Sequence, residues 1–112
     1  RMAFGRGPAA RGDVHTFDLS ATLPLEIRDV AWDVVVADPS RAGMRASLTG
    51  HVAELGAKRI VVVACDPATM ARDAAQLAER GYRVDCWWLL DLFPMTAHVE
   101  AVVRFERATS PA

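Results

Sequence analysis

Two valine-rich runs, Trp32 to Ala37 (WDVVVA) and Arg59 to Cys65 (RIVVVAC), constrain the fold of this chain more than any other feature. Neither alternates apolar with polar residues, so each reads as a strand covered on both faces, as in a parallel sheet. A helical pattern follows each run. Asp38-Pro39 ends the first. Ser47 is the expected N-cap of a helix in which Leu48, Val52 and Leu55 recur at spacings of four and three, and Gly56 stops it. After the second run, Asp66 is the expected N-cap and Pro67 the first helical residue. Ala71, Ala74, Ala75 and Ala78 line one face of that helix, and Gly81 ends it. Tyr82 to Leu90 reads as a third strand, the DLFPMT stretch around Pro94 as a turn, and Val99 to Phe105 as a fourth strand. This order implies right-handed crossovers in a mostly parallel α/β sheet, with the closing strands antiparallel because their connection is short.

The remainder of the chain is less patterned. Residues 1–13, rich in Arg and Gly, read as a flexible lead-in, 14–107 as one domain and 108–112 as a tail. Val14 to Phe17 has the length of a short strand, and Asp18 to Asp29, with Pro24 in it, reads as loop or a poor helix. The chain opens on Arg1 rather than Met, which reads as a processed or excised piece. Four strands and two helices enclose a small core, so an incomplete domain or a homodimer is expected.

Composition excludes several classes. Thirteen basic against fourteen acidic residues give a net charge of -1, which rules out a strongly basic surface. With 52% apolar and 24% charged residues the chain falls in the globular range, and no stretch approaches the roughly 18 apolar residues of a membrane span. Residues 1–12 lack the apolar stretch of a signal peptide. Two cysteines are too few for a disulfide framework, so reduced thiols and a cytoplasmic location are expected. Two Cys and three His show no paired ligand spacing, and no metal is expected.

Ligands of open α/β sheets gather outside the carboxyl ends of the parallel strands. Asp38 closes the first valine run and Cys65 the second. A cysteine there is often an apolar filler, but Cys65 also directly precedes a helix start, where unpaired N–H groups and the helix dipole favour a thiolate. Cys86, in mid-strand, reads as a core residue. Asp38 also suits a turn opening. Glu100 and His98 read locally as ordinary polar residues of an alternating strand. Gly5-Arg6-Gly7 lacks both the preceding strand and the third glycine of a phosphate loop.

Three stretches combine into something more specific: DPSRAG at Asp38 to Gly43, ACDPATMARD at Ala64 to Asp73, and DLFPMTAHVE at Asp91 to Glu100. Together, in this order and spacing over Trp32 to Arg107, they resemble the RNA uracil-5 methyltransferases, which form 5-methyluridine in tRNA and rRNA. Ala64 and Asp66 depart from the family's usual Ser-Cys-Asn-Pro but leave the cysteine in place. The resemblance implies the C-terminal half of a Rossmann-like class I methyltransferase sheet that uses S-adenosylmethionine, with RNA as partner. Uracil C5 is a poor nucleophile, so such an enzyme first adds a thiolate to C6, and a general base later removes the C5 proton. Cys65 matches the nucleophile and Glu100 the base. Asp38 matches the acidic residue that holds the target base or the cofactor side of the pocket, Arg41 a loop or phosphate anchor, and Asp18 a contact to the cofactor adenosine. Phe93 is the aromatic nearest the site, where a uridine flipped from its stack would be received. The family's glycine-rich cofactor loop belongs upstream of Arg1, so the isolated piece is expected to be inactive.

Two other classes remain open from the sequence. An inactive half-fold whose exposed sheet edge pairs with another copy or another protein predicts no reactivity at Cys65. A receiver-like domain phosphorylated on Asp38 requires a late Lys, whereas the sole Lys is Lys58.

Overall fold

A computed structural model describes residues 23–40, 42–91 and 100–108. Within them the chain forms α1 (Leu25–Arg28), β1 (Val34–Ala37), α2 (Arg45–Glu54), β2 (Arg59–Ala64), α3 (Pro67–Glu79), β3 (Tyr82–Leu90) and β4 (Glu100–Arg107). The lead-in, the short strand expected at Val14 to Phe17 and most of the tail lie outside the described residues.

The strands build one sheet in the order β1-β2-β4-β3. β1 and β2 are parallel, from Val34 opposite Arg59 to Ala37 opposite Val62, with α2 as their crossover. β4 runs antiparallel to both β2 and β3. Three strands therefore point one way and one is reversed, the α/β arrangement expected from the sequence. β4 does not merely flank β3 but folds back between it and β2. Val103 and Phe105 face inward there, opposite Val62 and Ile60, so the interior position buries two apolar residues against β2.

α2 and α3 cover one face. Their Val52, Met70 and Leu77 pack with Ile60, Val62, Val103, Phe105 and Tyr82 in a single core. The expectation that both valine runs are covered on both faces does not hold among the described residues. In β1, Val34 and Val36 point away from the helices and are exposed, and in β3 Trp87, Trp88, Leu89 and Leu90 are all exposed. An unbroken valine run records only that both faces are apolar, and the described helices pack on one of them.

Two smaller expectations, at Ser47 and Cys86, are corrected as well, and the buried face of α3 is defined. Ser47 does not cap α2: the helix starts two residues earlier, at Arg45, with Met44, whose side chain is no capping acceptor, at the N-cap, and the Met44 N–H donates to Asp73 of α3 at 2.8 Å. Of the alanines that line one face of α3, Ala71, Ala75 and Ala78 are exposed. Met70, Asp73 and Leu77 are buried instead, with Ala74 packed against them, because larger side chains are needed to fill the gap to the sheet. Cys86 is only half-buried, next to a bulge between Val84 and Cys86. The poor helix anticipated before Asp29 is the single turn α1, and the signals at Asp66, Pro67, Gly56 and Gly81 operate as expected.

Candidate functional site

β1 and β2 end on the same side of the sheet, and each hands over to a loop through a residue with chemistry to offer. Cys65 follows Ala64 and precedes Asp66, whose extended backbone opens α3. The Asp66 carboxylate accepts the Ala68 N–H at 2.9 Å, its carbonyl accepts the Thr69 hydroxyl at 3.0 Å, and Pro67 pre-sets the first helical φ. Cys65 is thereby held between a strand ladder on one side and a capped helix on the other. Its side chain is half-buried.

The β2–β4 ladder ends on Ala64 opposite Ala101. Cys65 and Glu100 are the next residues outward on these neighbouring strands. Glu100 is half-buried and pairs across its other side with Leu90. Ala37 pairs with Val62, which brings Asp38 level with Val63, two residues short of Cys65. Asp38 is exposed and carries no hydrogen bond or ion pair among the described residues. The fold thus gathers Cys65, Glu100 and Asp38 at one end of the sheet, although they are far apart in the chain. Arg41, Asp18, Phe93 and His98 lie outside the described residues.

Sequence reasoning missed Arg72 and Asp73. The Arg72 guanidinium donates to the Ala42 carbonyl at 2.7 Å, and Asp73, 1% exposed, accepts the Met44 amide. The signal was present, since Asp73 falls three residues after Met70 and four before Leu77, on the apolar stripe of α3. A groove of about 400 Å³ lined by Arg45, Thr69 and Arg72 runs along this side. Cys65, Asp38 and Glu100 are not among the residues that line it. Among the described residues, no group of three or more His, Cys, Asp or Glu is arranged to hold a metal, and no helix is long and apolar enough to cross a membrane.

A model of the tRNA (uracil-5-)-methyltransferase family matches residues 10–108. The chain belongs to this family. Its relatives include an uncharacterized RNA methyltransferase of Streptomyces coelicolor, 51% identical over 76 residues, covering 68% of this chain and 17% of the relative. They also include the 23S rRNA (uracil(1939)-C(5))-methyltransferase RlmD of Pseudomonas fluorescens, 42% identical over 104 residues, covering 88% of this chain and 23% of the relative. Among solved structures, the Pyrococcus abyssi tRNA (uracil-54, C5)-methyltransferase in complex with S-adenosyl-L-homocysteine superposes with a TM-score of 0.59 at 40% identity, covering 70% of this chain and 20% of that one. The M1.HpyAVI–SAM complex, 15% identical with a TM-score of 0.57 over 72% of this chain and 47% of that one, shares the fold. This family member spans about a fifth of the length of the curated relatives it matches, and its three motif stretches fall within the matched region.

Proposed function

We propose that this chain forms the catalytic end of an enzyme that transfers a methyl group from S-adenosylmethionine to C5 of a uridine in tRNA or rRNA, through a covalent adduct between Cys65 and C6. The observation that carries the reading is the shared sheet end: the half-buried Cys65 and Glu100 extend neighbouring strands just beyond their last rung.

The Cys65 thiolate adds to C6, which turns the ring into an enolate nucleophilic at C5. When bound, S-adenosylmethionine supplies the electrophilic methyl group. Glu100 then takes the proton from the methylated C5, and the electron pair released re-forms the C5–C6 double bond as the Cys65 sulfur departs. Asp38 fits a role beside them. An exposed carboxylate without a partner among the described residues is an acceptor for the N–H and O–H donors that both the uracil ring and the cofactor present. Arg41 and Asp18 are assigned to binding as well, Arg41 toward a phosphate and Asp18 toward the cofactor adenosine.

The test is covalent trapping with the full-length protein, the cofactor and 5-fluorouridine-substituted tRNA and 23S rRNA transcripts. Fluorine at C5 cannot leave as a proton, so the adduct accumulates and survives denaturation. Cys65→Ala is expected to abolish it. Absence of an adduct, or its persistence in Cys65→Ala, overturns the assignment.

A further inference from the structure

α3 grips the connection between β1 and α2 at two consecutive residues, with opposite polarity. Arg72 donates to the Ala42 carbonyl at 2.7 Å and Asp73 accepts the Met44 amide at 2.8 Å, so the two contacts straddle Gly43. Gly43 has φ +82, and a Cβ there would lie 2.8 Å from Asp73 Oδ2 and 3.2 Å from the Thr69 Cβ. The connection is pressed against the helix as closely as glycine allows.

Stability by itself does not account for this arrangement. Asp73 is 1% exposed and its Oδ1 has no hydrogen-bond partner among the described residues. An unmatched buried carboxylate oxygen is costly, and an apolar residue would fill the position at lower cost. Such costs are tolerated where geometry is needed. What the contact geometry connects is specific. α3 begins two residues after Cys65, with Asp66 between them as its N-cap, and the gripped connection begins at Asp38.

We propose that Arg72 and Asp73 form a clamp that positions the Asp38 end of the site relative to Cys65, using α3 as the common reference. Neither touches the reacting atoms, so both are positioning residues. The proposal rests on the reading of Cys65 as the nucleophile.

The test measures the rate constant and the amplitude of adduct formation with 5-fluorouridine RNA in the full-length protein, together with hydrogen exchange at the Met44 amide. Loss of folded protein lowers the amplitude, whereas misplacement lowers the rate constant of the molecules that react. Asp73→Ala and Gly43→Ala, which disturb the same contact from its two sides, are each expected to slow the rate constant about 10- to 100-fold. Asp73→Asn keeps an oxygen for the Met44 amide and is expected to recover most of the rate. Wild-type rate constants in both Asp73→Ala and Gly43→Ala, with only the amplitude reduced, overturn the clamp. Should the wild type itself form no adduct, the Cys65 reading fails separately. Met44 amide exchange then judges the contact, and equal protection in wild type and Asp73→Ala overturns the clamp as well.

Discussion

Ala64 and Ala101 face each other as the last rung between β2 and β4, and the residues beyond them are the nucleophile and base of the proposed reaction. Antiparallel pairing makes this possible, because the carboxyl end of one strand meets the amino end of the next. A fully parallel sheet would bring only carboxyl ends together. The reversed strand therefore delivers Glu100 to the edge where Cys65 emerges.

Glu100→Gln keeps the size of the side chain but accepts no proton from C5. Turnover is expected to fall by about 10² to 10⁴-fold, while addition of Cys65 to C6 continues, so a denaturation-resistant RNA adduct builds up with ordinary uridine RNA. Gel-shift analysis under denaturing conditions reads the adduct. Normal turnover in Glu100→Gln would require another base.

The covered and open faces of the sheet predict contrasting costs. Phe105 is fully buried opposite Ile60, so Phe105→Ala is expected to destabilise by about 3–5 kcal/mol. Val36, 68% exposed on the other face, is expected to lose no more than about 0.5 kcal/mol on replacement by Ala. Denaturant titration of the two variants measures the difference. Equal costs would mean that both faces are packed.

Tyr82 ties β3 to the start of β2 by donating its hydroxyl to the Ala57 carbonyl at 2.6 Å. Burial raises its phenol above the ordinary value of 10.0, with Arg107 opposing. Because the folded pKa is the higher one, the contribution to stability is complete below pH 10 and is lost as pH rises through the folded value. Tyr82→Phe is expected to cost about 1 kcal/mol near neutrality and to flatten the alkaline loss seen in wild type. Thermal melts between pH 8 and 11 check this. An unchanged alkaline slope would assign the loss to other groups.

Part of the candidate site was readable from local chemistry. Cys65 and Asp38 could be placed at strand ends because apolar runs stop abruptly there, and α3 was readable from Asp66-Pro67 and Gly81 because caps are local hydrogen-bonding devices. Ser47 misled for the same reason. It has a capping side chain, but the orphan amide at the start of α2 finds its acceptor 29 residues away in Asp73, a contact no local window contains. At α3, helical spacing identifies an alanine face without saying that Met70, Asp73 and Leu77 are the residues turned to the sheet.

By itself the sequence determined where the chain is extended and where it is helical, several of the residues that end those elements, and, through three motif stretches, the family to which the chain belongs. Periodicity, capping and strand length are written within a few residues of one another, so they survive without knowledge of the rest. The tertiary structure alone decided that β4 enters between β2 and β3, that only one face of the valine-rich strands lies beneath the helices, and that Arg72 and Asp73 grip the connection after Asp38. Each of these is a choice of partner across a long loop, set by which surfaces bury best together, and no local pattern encodes it.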